Sequence, residues 1–332
     1  MIKEIGSEFF TRQVASNYLK DSQINLLSGR TALDFIIKDI QAEREFRSVL
    51  LPDYCCESMV EPFISNGISV RFYSAKKNEL VEKYNICDAV LLLNYFGYEN
   101  KANNEIAKRA KESGIIVIND ATHRPICDDF YSDYKFCSYR KWEYCNFAML
   151  EKNSGKINIK KPTKTNEQYV LMRDEASKLK EQYLLGKNVN KNTFLDLYSR
   201  AETLLESDYK MYCGIPVKFD FETIVSKRIN NAKMLIDGIK DIKDIRLLFG
   251  KINEEDTPMF VPILLEEETR NDLRQFLIKN QVYCPIHWPE TKWNNGDIYK
   301  QELSLVCDQR YDENDIKREI DLINEFFLGR NK

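Results

Sequence analysis

Four short apolar runs constrain what this chain can fold into more than any other feature: SVLLP at 48–52, ISVRFY at 68–73, DAVLLL at 88–93 and IIVIND at 115–120. Each has strand length and mostly uncharged, β-branched or aliphatic content, the composition of strands buried on both faces. Between them lie stretches of helical length, such as CESMVEPFISNG, closed by Gly67, and ANNEIAKRAKESG. Strand, helix, strand succession requires right-handed parallel crossovers, so an α/β layered domain is expected, with a large, mostly parallel sheet flanked by helices. A chain of 332 residues has room for such a domain and a smaller one beside it.

Beyond these runs, residues 1 to 25 read as an arm and a short helix, and 162 to 210 as polar helices. Around Gly214-Ile215-Pro216 a second domain is expected to begin. It holds a long helix in ETIVSKRINNAKMLIDGI, strands in DIRLLF and MFVPILL, and a helix in RNDLRQFLIKNQ. The strand-like VYCPIHWP follows, and DENDIKREIDLINEFF forms the last helix. This places a large domain at 1–212 and a small α+β domain at 213–332.

Composition excludes several classes of partner. With 43% hydrophobic and 30% charged residues and a net charge of -3, there is no global attraction to nucleic acid or to an anionic membrane. The basic IKKPTK at 159–164 reads as a solvated loop. MIKEIGSEFFTRQ lacks the apolar centre of a signal peptide, and no later run is long enough to span a bilayer, so a cytoplasmic location is expected. The 9 cysteines include adjacent Cys55 and Cys56 and isolated Cys87, Cys127 and Cys213, with no C-x-x-C spacing, and read as reduced, mostly buried thiols. No metal centre is expected from 2 histidines without such a spacing.

The run at 115–120 stops at Asp120, and His123 follows where strand gives way to loop. Phe136-Cys137-Ser138 then reads as another short strand and turn, leading to Lys141 between Arg140 and Trp142. An acid, an imidazole and a lysine are thus delivered by neighbouring elements. Pyridoxal phosphate chemistry uses such a set: a lysine amine forms the Schiff base, and a carboxylate keeps the pyridine nitrogen protonated so that the ring is an electron sink. On spacing alone, a strand cap and a solvated lysine account for the same residues. Ser28 to Thr31 form a turn opening onto the apolar-periodic DFIIKDIQAE. Free N–H groups at such a helix start suit a phosphate, and ordinary helix capping explains the turn as well.

Taken together, SGRTAL, VLLPDYCCESMVEPFISNGISVRFY, LLLNYFGY, VINDATH, SYRKW and LSLVCDQRY occur in an order and spacing that resembles the DegT/DnrJ/EryC1/StrS family of fold-type-I pyridoxal phosphate aminotransferases. The resemblance spans residues 5 to 325. It implies pyridoxal 5'-phosphate as cofactor and a homodimer with active sites at the interface. The implied reaction moves an amino group from an amino acid such as glutamate to a nucleotide-linked keto sugar, in surface-polysaccharide or secondary-metabolite synthesis. It further implies Lys141 as the Schiff-base lysine, Asp120 as partner of the pyridine nitrogen, and His123 near the phenolic oxygen. Gly29, Arg30, Thr31 and Ser138 would hold the phosphate, and Asn94 and His287 would lie towards substrate. A tight turn at Asn94 to Gly97 and a packed turn around His287 are the plainer explanations.

Three departures mark a divergent branch. The family's stacking aromatic falls four residues after the proline, where this chain has Cys56; Tyr54 is the alternative. The serine lies three residues before the lysine instead of five, in an SxRKW-like arrangement. After Lys141 the chain reads Glu143-Tyr144-Cys145-Asn146-Phe147, with no glycine until Gly155, where the family is glycine-rich. Arg140 would favour a neutral Lys141 amine if its head group pointed inward; Lys135, the rival lysine, precedes the aromatic segment. Other chemistry on the same cofactor and a non-catalytic binding descendant are compatible with these residues.

Overall fold

The computed structural model describes residues 3–10, 23–75, 87–125, 131–293 and 296–330. Most of the expected N-terminal helix and Cys127 lie outside the described residues. Two compact units are formed, the larger from Phe9–Leu93 and Lys101–Phe219, the smaller from Met1–Glu8, Asn94–Asn100 and Asp220–Lys332. The second unit thus begins at Asp220 and also takes in two earlier segments.

In chain order, β1 (Ile5–Gly6) belongs to the smaller unit, and the larger unit follows with β2 (Gln23–Leu26), α1 (Gly29–Glu43), β3 (Ser48–Pro52), α2 (Glu57–Ser65) and β4 (Ser69–Tyr73). Next come β5 (Ala89–Leu93), α3 (Ala102–Glu112), β6 (Ile116–Asp120), β7 (Tyr134–Ser138), β8 (Ala148–Lys152), α4 (Glu167–Leu184) and α5 (Lys191–Ser207). The seven strands β2 to β8 make one sheet in the order β2-β8-β7-β6-β5-β3-β4. From β4 to β7 all pairings are parallel, whereas β8 is antiparallel to both β7 and β2. All five residues of β5 are buried, as its uninterrupted AVLLL requires of a central strand. At the edge, β4 alternates exposed and half-buried positions over most of its length. The expected α/β architecture is therefore present. No helix of the described residues is long and apolar enough to cross a membrane.

Helix α1 is buried nearly all round, including Asp34 and Asp39 at 0% exposure. Buried charges need partners. Asp34 receives Lys38 at 2.6 Å, and Asp39 receives Lys152 Nζ at 2.9 Å and the Tyr134 hydroxyl at 2.7 Å.

The smaller unit contains α6 (Phe221–Ile239), β9 (Arg246–Leu247), β10 (Val261–Leu264), α7 (Glu267–Lys279), β11 (Val282–Tyr283), α8 (Asp297–Gln301), β12 (Glu302–Leu305) and α9 (Glu313–Arg330). Strands β12, β10 and β9 form an antiparallel sheet, and β1 pairs in parallel with β11. Only Val282–Tyr283 of the expected VYCPIHWP strand is extended into a ladder, because Pro285 and Pro289 lack the N–H that pairing needs. Ile5 enters the core with Leu235, Val261, Leu273 and Ile323. The late CDQRY segment pins the chain's opening residues: Asp308 holds Arg310, which donates to the Ser7 and Glu8 carbonyls, and the Tyr311 hydroxyl accepts from Gly6 N–H at 2.7 Å.

Asn94–Asn100 is stitched to the same unit by Met259 N–H to the Phe96 carbonyl at 2.7 Å and Thr257 N–H to the Gly97 carbonyl at 2.9 Å. Gly97 has φ +90°, and a Cβ there would lie 2.0 Å from the Thr257 oxygen. Close backbone approach as well as the turn itself thus demands glycine.

Candidate active site

The larger unit presents its chemistry where parallel strands end. β2 runs in the same direction as β7, since each is antiparallel to β8. The carboxyl ends of β2, β3, β6 and β7 therefore share one edge of the sheet and release Ser28-Gly29, Asp53 to Cys56, Asp120 to His123 and Ser138 to Lys141. In open α/β sheets this edge is where ligands bind.

At the end of β2, Ser28 caps α1 by accepting the Thr31 N–H at 3.1 Å. The Thr31 hydroxyl donates to the Tyr209 carbonyl at 2.8 Å and lies 2.9 Å from the Ser28 hydroxyl, so this side chain braces the turn. Capping takes one first-turn N–H, that of Thr31; the remaining first-turn N–H groups of a helix start are the kind that suit an anion. Gly29 lies against β7: a Cβ there would sit 3.4 Å from Ser138 Cβ. The Arg30 guanidinium packs over the Tyr209 ring, 5.6 Å from its centre, and stands 4.0 Å from Glu206. Its Nε is buried without a hydrogen-bond partner.

Asp120 is the last residue of β6 and is 8% exposed. Its Oδ1 accepts Thr122 N–H at 2.9 Å, the two-residue reach of an Asx turn. Burial pushes its carboxyl up to about 6, against the hydrogen bonds from Thr122. Burial first, and then the Lys141 charge, push the His123 imidazole down to about 3. Thr122 is a knot that the sequence reading passed over. Its hydroxyl accepts Ser138 N–H at 3.1 Å, and its carbonyl accepts the Trp142 indole N–H at 2.7 Å. The signal lay in its position two residues beyond a strand-end aspartate.

Without cofactor, Asp120 and His123 pull stability in opposite directions. The Asp120 carboxyl ionises near 3.8 when unfolded and near 6 when native. Its contribution is full below the first value and is lost as pH rises through the second, about 3 kcal/mol in all. The unfolded chain protonates His123 below pH 6.5 and the native one only near 3, so that contribution is full above pH 6.5 and falls on acidification. Asp120→Asn keeps an acceptor for Thr122 and cannot ionise. It is expected to melt several degrees above the unaltered protein at neutral pH and to converge with it near about pH 4. Equal melting temperatures at neutral pH would show that Asp120 is not desolvated.

After β7, residues Tyr139–Lys141 form a 3-10 turn. Tyr139 stacks between Phe147, with ring centres 5.3 Å apart, and Phe219, at 4.9 Å. Lys141 is exposed. Arg140 does not offer it a free cation, because its Nη1 is bound by Glu202 Oε1 at 2.7 Å and by the Tyr169 hydroxyl at 2.6 Å. Glu202 has no local signature, being one residue of α5 in a stretch read only as polar helices. Lys135, the rival lysine, is half-buried within β7.

Cys56 precedes α2, with its thiol 2.9 Å from the Ser58 hydroxyl. Burial raises that thiol, Lys141 lowers it and Asp120 raises it, so all three groups share one neighbourhood. Tyr54 is 3% exposed. Asn94 and His287 belong to the smaller unit. There the Asn94 Oδ1 accepts Asn100 N–H at 2.9 Å, closing its own loop. His287 donates its backbone N–H to Glu302 at 2.8 Å and meets Phe96 and Trp288 with ring centres 5.0 and 4.7 Å away.

The donor set suits one kind of group: a flat ring with a basic nitrogen for Asp120, an aldehyde for Lys141, and a phosphate for the α1 start and Ser138. A protonated ring nitrogen would relieve the buried carboxyl that burial alone pushes up.

No family model matches the sequence, and no curated protein is similar to it. Solved structures are similar throughout. The Helicobacter pylori aminotransferase PseC, involved in pseudoaminic acid biosynthesis, is 11% identical with a TM-score of 0.64, covering 98% of each chain. A DegT DnrJ EryC1 StrS aminotransferase from Brucella abortus is 13% identical with a TM-score of 0.62, covering 92% of this chain and 86% of that one. A putative sugar aminotransferase from Streptococcus pneumoniae in its PLP form is 10% identical with a TM-score of 0.63, covering 92% and 87%. The chain has the fold of these proteins.

Proposed function

We propose that this chain is a pyridoxal 5'-phosphate-dependent aminotransferase of the DegT/DnrJ/EryC1/StrS family, moving an amino group from an amino acid such as glutamate to a nucleotide-linked keto sugar. The observation that carries the reading is the delivery of Lys141, Asp120 and the Gly29–Ser138 contact by strand ends along one sheet edge. A fold shared with the pneumococcal structure, a putative sugar aminotransferase in its PLP form, supports both the sugar substrate and the cofactor.

When bound, the cofactor supplies an aldehyde for amine exchange and a cationic ring that accepts electron density. The Gly29 and Arg30 N–H groups and the Ser138 hydroxyl would hold the phosphate, while Thr31 braces their turn. Asp120 would hold the proton on the ring nitrogen. His123, neutral at physiological pH, hydrogen-bonds near the phenolic oxygen. Lys141 would anchor the cofactor through its amine and would serve as the base for the proton on the donor's α-carbon. Cys56 stands in sequence where the family has a stacking aromatic, with Tyr54 the alternative; Asn94 and His287 would serve the acceptor. The working form is a homodimer.

The test is the absorbance spectrum of the protein with added pyridoxal phosphate, followed by borohydride reduction and peptide mapping. A visible band and a label on Lys141 are expected. No binding, or a label elsewhere, would overturn the assignment. Product analysis with glutamate and nucleotide-linked keto sugars then tests the substrate class.

A further inference from the structure

A single 3-10 turn carries Lys141, closed by the Trp142 and Glu143 N–H groups on the Tyr139 carbonyl at 2.9 and 3.2 Å. Such turns are weakly bonded internally, so their course depends on what holds them from outside. No glycine lies between Trp142 and Ser154 to shape the backbone that follows. Side chains grip the turn from both flanks instead. On one flank the Trp142 indole, 0% exposed, donates to the Thr122 carbonyl at 2.7 Å. On the other, Arg140 reaches Tyr169 on α4 and Glu202 on α5 at 2.6 and 2.7 Å.

That second grip is built with care for charge. Arg173 Nη1 meets the same two oxygens, Tyr169 Oη at 3.2 Å and Glu202 Oε1 at 3.4 Å. The Arg173 guanidinium lies 5.7, 5.8 and 6.0 Å from the ring centres of Tyr144, Tyr169 and Tyr198. Tyr144 comes from the glycine-free stretch itself, and its hydroxyl donates to Asp174 at 2.6 Å. Two guanidiniums thus converge on one carboxylate oxygen. The Glu202 side chain is 47% exposed; burial works to raise its carboxyl, but Arg140 and Arg173 overcome this and hold it below the usual range, with Lys141 adding to the effect. Lys141, one residue from Arg140, is exposed.

We propose that Glu202 is a positioning residue for Lys141, acting through Arg140 to hold the turn on which the lysine is presented to the cofactor. This rests on the reading of Lys141 as the cofactor's lysine. Glu202→Ala or Arg140→Met releases the flank held by α4 and α5 and leaves the Trp142 flank in place. Misplacement of a reacting group by about 1 Å costs on the order of 10²-fold in rate.

The experiment follows the rate at which added pyridoxal phosphate, trapped by borohydride, labels Lys141 in mapped peptides, beside thermal melting. Glu202→Ala and Arg140→Met are expected to label about 10²-fold more slowly than the unaltered protein. Glu202→Gln, whose amide oxygen still accepts from Arg140, should recover most of the rate. Lys152→Met destabilises the same unit away from the turn and should label normally. In turnover, kcat should fall with little change in KM for the donor. Folded Glu202→Ala labelling at the unaltered rate would overturn the proposal, and so would equal slowing by Lys152→Met, which would make Glu202 a merely structural residue. If the unaltered protein takes no label on Lys141, the functional reading itself fails and this proposal with it.

Discussion

Lys141→Ala is expected to lower the rate of amino transfer by about 10⁴-fold or more while leaving the melting temperature of the cofactor-free protein unchanged. The two halves of this expectation have separate causes. Lys141 is exposed at the end of β7, so shortening it opens no cavity and leaves no buried partner unsatisfied. Its amine, however, is the group assigned both to anchor the cofactor and to move the donor's α-proton, and proton transfer by a positioned side chain alone contributes up to about 10⁴-fold. The measurement is kcat with glutamate and a nucleotide-linked keto sugar, beside a melting curve without cofactor. Activity retained within about tenfold would transfer the catalytic role to another residue, Lys135 being the first to examine. A large drop in melting temperature would instead show that Lys141 is structural.

Lys152→Met, at the end of β8, is expected to cost about 3–5 kcal/mol of folding stability. Lys152 Nζ lies 2.9 Å from Asp39, 3.1 Å from Glu43 and 2.7 Å from the Lys156 carbonyl. Asp39 also accepts the Tyr134 hydroxyl at 2.7 Å and Asn158 N–H at 2.6 Å, and is itself 0% exposed. Methionine has nearly the length of lysine, so the loss comes from an uncompensated buried charge more than from lost volume. Urea titration measures the loss, and Asp39→Leu combined with Lys152→Met should recover part of it. A single variant within about 1 kcal/mol of the unaltered protein would show that water reaches Asp39.

The same cluster shows where reading a sequence stops. DFIIKDIQAE has an evident helical period, and Ser28 an evident capping position, because both are properties of a few adjacent residues. That Asp39 lies under the sheet, facing a lysine 113 positions away, has no local signature. Glu202 is the same case beside Lys141. Thr122 falls between the two, since its N–H to Asp120 is local and its bonds to Ser138 and Trp142 are not.

By itself, the sequence determined the succession of buried strands and helices, the parallel sheet they must form, the capped start at Ser28, and the placing of Asp120 and Lys141 where strands end. Periodicity, caps and strand length act within one element, so they are legible wherever they occur. Only the tertiary structure decided that β2 enters the sheet beside β8, which brings Gly29 against Ser138. It alone joined Ile5 and Asn94–Asn100 to the unit that begins at Asp220, and chose Glu202 as the partner of Arg140. Those choices compare one distant partner with another. Such comparisons are settled by which pairing leaves no strand uncovered and no buried charge alone.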